Sequence, residues 1–281
     1  MTILVTGARG MIGSRLVKAL LEKGYTVVGI DRSRDSFAAE GYTHREADLA
    51  DRETLCRIVE EYGVDRVIHL AALAHTKGVK DLSWERYRRI NVEGSENIFA
   101  AAGDRPVLFI STVDVYGIYD GKTLVNGDSP IRPISKYGRS KALAEEACRK
   151  LDRYSIFRFS PVYTDTVKRD IQKRFYLKYP TVAYLVGKGT EFEILHVERA
   201  VEAMLAWCGS EPKGETRIIK DPVRMDAADY IRAEREAGRA RVVLRFPRWM
   251  VRAGYAVLFR LLGENEKTYL LSKAVYPLRS E

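Results

Sequence analysis

Cysteine is scarce in this chain. Cys56, Cys148 and Cys208 are the only three in 281 residues, widely separated, odd in number and outside any spacing that would hold zinc. That excludes a disulfide framework and a structural metal, and leaves reduced, buried thiols of the kind found in cytosolic proteins. Long apolar runs are missing too. The N-terminus enters Ile3-Leu4-Val5 without a basic leader or a small-residue cleavage site, so neither a signal peptide nor a spanning anchor is expected. A P-loop is also absent: Val186-Gly187-Lys188-Gly189 has no Ser or Thr after its lysine and reads as a turn between short strands. What remains is ample apolar material, 46% of residues against 30% charged, enough to bury a full core. The formal charge of +9 suits nucleic acid, anionic lipid or a phosphorylated substrate without choosing among them.

Ile3 to Thr6 is a short apolar run, followed by Gly7-Ala8-Arg9-Gly10-Met11-Ile12-Gly13 and then by Leu16, Val17, Leu20 and Leu21 at helical spacing. The order is strand, glycine turn, helix. Gly7 permits the tight turn, Gly10 lets the backbone approach a pyrophosphate, and Gly13 lets the helix sit close to the strand. Amides at the helix start, around Met11 and Ile12, would receive the phosphates. The next acidic residue, Asp31, ends the run Thr26-Val27-Val28-Gly29-Ile30 at the separation expected for a carboxylate on an adenosine ribose. It argues for NAD, while Arg32 and Arg34 nearby keep NADP as the alternative because they could meet a 2'-phosphate.

Further along, Arg52 to Tyr62 reads as a helix, Arg66 to Leu70 as a strand, Trp84 to Ala102 as a helix and Val107 to Ser111 as a strand. Strands alternating with long helices predict right-handed crossovers and a parallel, doubly wound α/β sheet of Rossmann type. Ligands bind at the C-terminal ends of such strands. Asp48, His69, Ser111 and Thr112 fall at those ends. Tyr137 and Lys141 lie four positions apart on one face of a further helix, and a neighbouring ammonium can bring a phenol toward working pH as an acid or base.

Together these blocks carry a resemblance. Thr6-Gly7-x-x-Gly10-x-x-Gly13, Asp48-Leu49, His69-Leu70-Ala71-Ala72, Asn91-Val92-x-Gly94-x-x-Asn97, Ser111-Thr112-x-x-Val115-Tyr116-Gly117 and Tyr137-x-x-x-Lys141 occur in order. Over roughly residues 1–208 the chain resembles the extended short-chain dehydrogenases/reductases, in particular the NAD-dependent epimerase/dehydratase family that acts on nucleotide sugars. The resemblance implies that Gly7, Gly10, Met11, Ile12 and Gly13 hold the diphosphate, Asp31 and Arg32 the adenosine ribose, and Asp48-Leu49 the adenine edge. It implies that Leu70, Ala71, Ala72 and Asn91 lie beside the nicotinamide half. Thr112 would bond the reacting sugar oxygen, Tyr137 would be the acid/base, and Lys141 would tune Tyr137 and hold the nicotinamide ribose. Asp114 and Tyr163 would face substrate, and no metal is implied. A homodimer through the helices Trp84 to Ala102 and Lys136 to Leu151 is the family's habit.

Departures from the pattern bear on the reaction. Sugar 4,6-dehydratases carry Asp-Glu after the threonine, where this chain has Val113 and Asp114; Val113 cannot protonate a leaving hydroxyl. That disfavours dehydration and leaves a nucleotide-sugar 4-epimerase or a 4-keto-sugar reductase. In hexose 4-epimerases the resemblance implies a lysine near Ala74, and its absence tilts slightly against that subgroup. The stretch Phe157-Arg158-Phe159-Ser160-Pro161-Val162-Tyr163 resembles the family's approach to the substrate cleft, but Thr164-Asp165 replaces Gly-Pro. His196-Val197-Glu198 resembles a conserved-type helix start, with His196 orienting the loop. A different class of function uses the same glycines: a cofactor-binding regulatory protein without turnover. Intact Thr112, Tyr137 and Lys141 argue for the enzyme.

Residues 1–160 are thus expected to form the dinucleotide-binding domain and residues 161–281 a small C-terminal α/β substrate region partly interleaved with it. Beyond Gly214 the motifs fade. Thr216 to Ile219 reads as a strand, Asp226 to Ala237 as a helix, and Arg232, Arg235, Arg239, Arg241, Arg245, Arg248 and Arg252 form a basic run, ordinarily a solvated face. Pro247 opens a helix through Leu262 that is too short and too charged to span a bilayer. The bland expectation is that it packs and closes the substrate domain. The sharper one puts a cytoplasmic enzyme on an anionic membrane, with arginines at headgroups and Trp249 at the interface, acting on a lipid-diphosphate sugar. Nucleic acid comes third, since no aromatic-interleaved basic module is present.

Overall fold

The computed structural model describes residues 1–34, 38–74, 82–167, 169–212 and 214–281. At its centre is a parallel sheet built from β1 (Thr2–Thr6), β2 (Thr26–Asp31), β3 (Tyr42–Glu46), β4 (Arg66–His69), β5 (Val107–Thr112), β6 (Tyr154–Phe159) and a seventh strand, Glu215–Ile219. Their order is seventh strand, β6, β5, β4, β1, β2, β3. The chain therefore winds one way from β1 to β3 and the other way from β4 onward. The crevice of such a sheet opens at the reversal, beyond the C-terminal ends of β1 and β4.

Pleating divides the buried strand residues between two cores. On one face Ile3, Val5, Ile68, Leu108 and Phe157 pack with Leu16, Val17 and Leu20 of the helix Gly13–Glu22 and with Ala200, Met204 and Trp207 of the helix Val197–Cys208. On the other, Leu4, Val28, Val67, Phe109 and Ile156 pack with Leu55 and Ile58 of the helix Arg52–Glu61, Ile98 and Phe99 of Gly94–Ala102, and Ala144 of Lys136–Cys148. Strands covered on both faces are apolar almost throughout, which is why β1 and β5 are legible as apolar runs.

The second region is interleaved with the first. Its strand Glu215–Ile219 pairs with β6, Ile219 lying opposite Phe159, and its helix Val197–Cys208 covers the main sheet. The remainder forms a small unit: the sheet Val242–Phe246, Val182–Val186, Tyr176–Lys178, with Ala227–Glu236 packed beside it around Phe175, Leu185, Phe192 and Ile231. Gly187 and Gly189 have positive φ in the turn after Val186, as the Gly-Lys-Gly reading anticipated. Two helices end the chain, Arg248–Leu262 and Glu266–Val275. The first buries only Tyr255 and touches the small unit at its start, where Arg248 donates to Gly189 O at 3.1 Å. All three cysteines are free, Cys148 and Cys208 buried and Cys56 half-buried. Among the described residues no helix is long and apolar enough to cross a membrane.

Candidate active site

The glycine turn lies between β1 and the helix Gly13–Glu22, and each glycine is there for a steric reason. Gly7 has φ 70°, and a Cβ on it would meet Ala71 Cα and N at 3.0 Å. A Cβ on Gly13 would sit 2.1 Å from Gly7 O. Only hydrogen allows the helix to start this close to the strand. No side chain caps the helix at Ile12, and no acidic residue occupies its first turn, so no carboxylate neutralises its positive end, although Gly10 N and Ser14 N donate to Gly7 O and Gly10 O at 2.9 and 3.0 Å. A glycine turn at an uncapped helix start fits a pyrophosphate. Asp31 ends β2, its carboxylate accepting from Arg9 N at 3.2 Å and Ser33 N at 3.3 Å. Arg34 is drawn off to Glu46 at 2.6 Å, while Arg32 is exposed. Arg32, Asp48, Asp51 and Thr54 line a cavity of about 410 Å³. Leu49 is buried below it, its carbonyl accepting from Asn97 Nδ2 at 2.8 Å.

A buried relay braces the loop after β4. Ala71 N–H donates to Thr6 Oγ1 at 3.1 Å, and Thr6 Oγ1 lies 2.6 Å from His69 Nδ1. His69 Nε2 lies 2.9 Å from Ser95 Oγ, whose own proton goes to Asn91 O at 2.6 Å. That last bond fixes the direction of the others: Nε2 donates to Ser95, and Nδ1 accepts from Thr6. Burial, aided by Lys141, holds the His69 pKa well below its ordinary value, so the ring is neutral. It is a structural strut between β1 and the helical segment carrying Asn91.

Asn91 belongs to a short π-helical stretch, Arg88–Glu93, a local widening often found at functional sites. Its amide clamps Leu73, accepting from Leu73 N at 2.6 Å and donating to Leu73 O at 3.0 Å. It also donates to Ser140 Oγ at 2.9 Å, and Ser140 donates in turn to Tyr137 O at 2.8 Å. Asn91 therefore joins the Leu70-Ala71-Ala72 loop to the helix of Tyr137, with its amide committed to those partners.

Thr112 ends β5, and its Oγ1 accepts from Asp114 N at 3.2 Å to start the turn Val113–Tyr116. The next helix is locked onto this turn. Ser135 caps it, accepting from Gly138 N at 2.8 Å while donating to Asp114 Oδ2 at 2.5 Å. A Cβ on Gly138 would lie 2.8 Å from Asp114 O, so the glycine between Tyr137 and Lys141 permits the close approach. Tyr137 is half-buried, its ring 6.4 Å from that of Tyr87. Lys141 is 2% exposed, with Nζ 4.0 Å from the Phe109 ring centre on β5. Desolvation draws its pKa down to about 7, against the pull of Glu145. The three residues expected to act together thus stand on one β5–helix junction.

Asp114 differs from expectation. Its carboxylate is not open to a sugar, because Ser135, Tyr269 and Lys273 all donate to it, Lys273 Nζ at 2.7 Å. Despite desolvation, Lys273 and the two hydroxyls hold its pKa at about 2. Beneath the site, Arg158 makes a two-pronged ion pair with Glu145 at 3.0 and 2.8 Å and donates to Tyr116 OH at 2.7 Å; Ser111 donates to Glu145 at 2.6 Å. These buried charges are matched and hydrogen-bonded, so they brace the junction.

Tyr163 lines a cavity of about 580 Å³ beside the crevice, with His196, Arg199, Asp221 and Arg224. Its hydroxyl donates to Asp221 Oδ2 at 3.0 Å, and His196 N donates to Oδ1 at 2.9 Å. His196 caps the helix Val197–Cys208 through its ring nitrogen, in keeping with a loop-orienting role. Sequence reading missed Asp221, Arg199 and Arg224. Asp221 had a usable signal, because it follows the C-terminal end of the strand Glu215–Ile219 and so falls on the ligand edge of the sheet.

Residues 3–216 match the NAD dependent epimerase/dehydratase family. The chain is 34% identical over 171 residues to the probable low-salt glycan biosynthesis reductase Agl14 of Haloferax volcanii, covering 58% of this chain and 54% of that protein. To UDP-glucose 4-epimerase 2 of Arabidopsis thaliana it is 34% identical over 171 residues, covering 54% and 47%. The chain spans about half the length of these curated relatives. Among solved structures, UDP-glucuronic acid 4-epimerase from Bacillus cereus in complex with NAD has a TM-score of 0.70 over 88% of each chain at 23% identity, a likeness of fold.

Proposed function

Because the chain belongs to the NAD dependent epimerase/dehydratase family, we propose that it oxidises or reduces one carbon of a diphosphate-linked sugar, as a 4-epimerase or a 4-keto-sugar reductase. The placement of Thr112 at the end of β5 and of Tyr137 and Lys141 on the helix fastened to it supports this reading. NAD, when bound, supplies the redox partner for the carbinol carbon. Thr112 Oγ1 hydrogen-bonds the reacting sugar oxygen. Tyr137 takes the hydroxyl proton from that oxygen on oxidation and returns it on reduction. Lys141, poised near neutral pH by burial, favours the Tyr137 phenolate when protonated. Asp31, with Arg34 held by Glu46, favours NAD over NADP, since a 2'-phosphate would face the carboxylate. Elimination of water is disfavoured: Val113 has no proton to give, and the Asp114 carboxylate is tied to Lys273.

The carrier is a nucleotide or a lipid diphosphate, bound toward Tyr163 and the cavity around Asp221, in a cytoplasmic homodimer joined through the helices Trp84–Ala102 and Lys136–Cys148. Sedimentation of the dilute protein tests the dimer. The function is tested by incubating the chain with nucleotide hexoses and 4-keto sugars plus NADH or NADPH, and weighing the products. A mass-neutral isomer identifies the epimerase and a gain of two hydrogens the reductase. Tyr137→Phe should lower turnover roughly 10²–10⁴-fold with cofactor affinity retained. Were no sugar turned over, with Tyr137→Phe preserving both cofactor binding and biological effect, the cofactor-binding regulatory reading would replace the enzyme.

A further inference from the structure

The helix Arg248–Leu262 contains no acidic residue, and none occurs between Ala237 and Gly263. Residues four apart on a helix stack into rows, and three rows here differ in kind. Val251, Tyr255 and Phe259 face inward, with Tyr255 buried and ring-to-ring with Tyr276. Trp249, Ala253, Val257 and Leu261 face outward, with Trp249 72%, Val257 60% and Leu261 74% exposed. Alongside that apolar row runs a basic one, Arg248, Arg252 and Arg260, all exposed. Arg248 donates to Gly189 O, and Arg252 stacks on Tyr276. Among the described residues, none of these arginines is paired with a carboxylate, nor are Arg241, just before the strand Val242–Phe246, and Arg245 within it.

A row of large apolar side chains held in water beside a row of unneutralised arginines requires a partner that is apolar below its surface and negative at it. We propose that this helix lies in the interface of an anionic lipid bilayer, Trp249, Val257 and Leu261 entering the acyl boundary and Arg248, Arg252 and Arg260 meeting headgroup phosphates. A second copy of the chain is the poorer occupant. A two-fold contact sets each patch against itself, which would bring two sets of unpaired arginines together.

The test is flotation of the full chain with vesicles of phosphatidylcholine alone and with a third phosphatidylglycerol, at low and high salt. Recovery with the anionic vesicles should exceed that with neutral ones at least tenfold and fall steeply in high salt, where surface charge is screened. Val257→Glu combined with Leu261→Glu should abolish flotation, with melting temperature and NAD affinity unchanged because both side chains are exposed. Arg248→Gln with Arg252→Gln and Arg260→Gln should lose the preference for anionic lipid. Absence of flotation at low salt overturns the proposal. So does a solution dimer that Val257→Glu/Leu261→Glu converts to monomer, which would assign the face to a second copy.

Discussion

Replacing Lys141 by methionine should make the folded chain more stable while removing its chemistry. Burial draws the Lys141 pKa from 10.5 to about 7. The unfolded chain therefore keeps this proton up to the ordinary lysine range, whereas the folded chain begins to release it near neutrality. Between those two values the unfolded state binds more protons, so stability rises with pH. At ~1.4 kcal/mol per pKa unit the lysine costs the fold about 4 kcal/mol at pH 7 and about 2 kcal/mol at pH 9. Methionine removes that cost; the ammonium contact with the Phe109 ring is already part of the folded-state pKa and is gone by pH 9, where the folded lysine is neutral. The variant should be more stable by about 4 kcal/mol at pH 7 and by about 2 kcal/mol at pH 9.

The assay is urea unfolding of both proteins at pH 7, 8 and 9 without cofactor, where all other titrating groups cancel in the comparison. Turnover of Lys141→Met should fall roughly 10²-fold or more. A stability gap that stays constant from pH 7 to 9 would mean that Lys141 titrates as an ordinary lysine, and the account of a desolvated ammonium tuning Tyr137 would be wrong.

Gly13→Ala places a methyl group 2.1 Å from Gly7 O, so it should destabilise by about 3 kcal/mol and abolish NAD binding, read by urea midpoint and by titration with NAD. Arg158→Met leaves Glu145 buried with its main partner removed, and should cost about 3–5 kcal/mol in the same unfolding assay. Asp31→Asn removes the charge that would repel a 2'-phosphate, so the ratio of NAD to NADP affinity should drop about tenfold. Asp114→Asn should loosen Glu266–Val275, seen as faster limited proteolysis near the C-terminus at neutral pH. Because the Asp114 pKa is depressed to about 2, its contribution is intact above the ordinary carboxylate value of 3.8 and fades as pH falls from there toward about 2, where wild type and variant should converge.

Strands β1, β2, β4 and β5 and the glycine cradle could be read from the chain because their causes are local, whereas β3, polar and half-buried, carries no apolar run. Uninterrupted apolar runs mark strands buried on both faces, and the spacing of Gly7, Gly10 and Gly13 records contacts made within one turn. Val242–Phe246 was hidden by Arg241 and Arg245, whose charges break the pattern of a strand that lies at a sheet edge with Val242 and Leu244 exposed. The helix Glu266–Val275 left a readable trace that went unused, the capping box of Asn265 and Thr268. Asp114 is a different case. Its partners Tyr269 and Lys273 lie 155 and 159 residues away, and no periodicity or motif links positions so far apart. Asn91 was drawn to the site by its motif, but whether its amide meets a ligand or clamps Leu73 is decided by tertiary placement.

The position after Val113 shows how a carboxylate can be kept at such a site while its acid chemistry is withdrawn. Deleting it would leave Ser135 without its acceptor and loosen the cap of the helix that presents Tyr137. Leaving it open would put a proton-transferring group beside Thr112. Lys273 resolves the conflict. Its ammonium at 2.7 Å keeps Asp114 ionised at every physiological pH, and with Tyr269 and Ser135 it fills the oxygens that could take a proton. The carboxylate becomes a fastener between Thr112, the Tyr137 helix and the C-terminal helix. On this geometry Lys273→Met should do more than destabilise: it would free one Asp114 oxygen beside Thr112 and raise that carboxyl's pKa, adding an acidic limb to the pH profile of kcat that the wild type lacks. A Lys273→Met profile parallel to wild type, at whatever reduced rate, would show that Asp114 holds the helices without facing the reacting carbon.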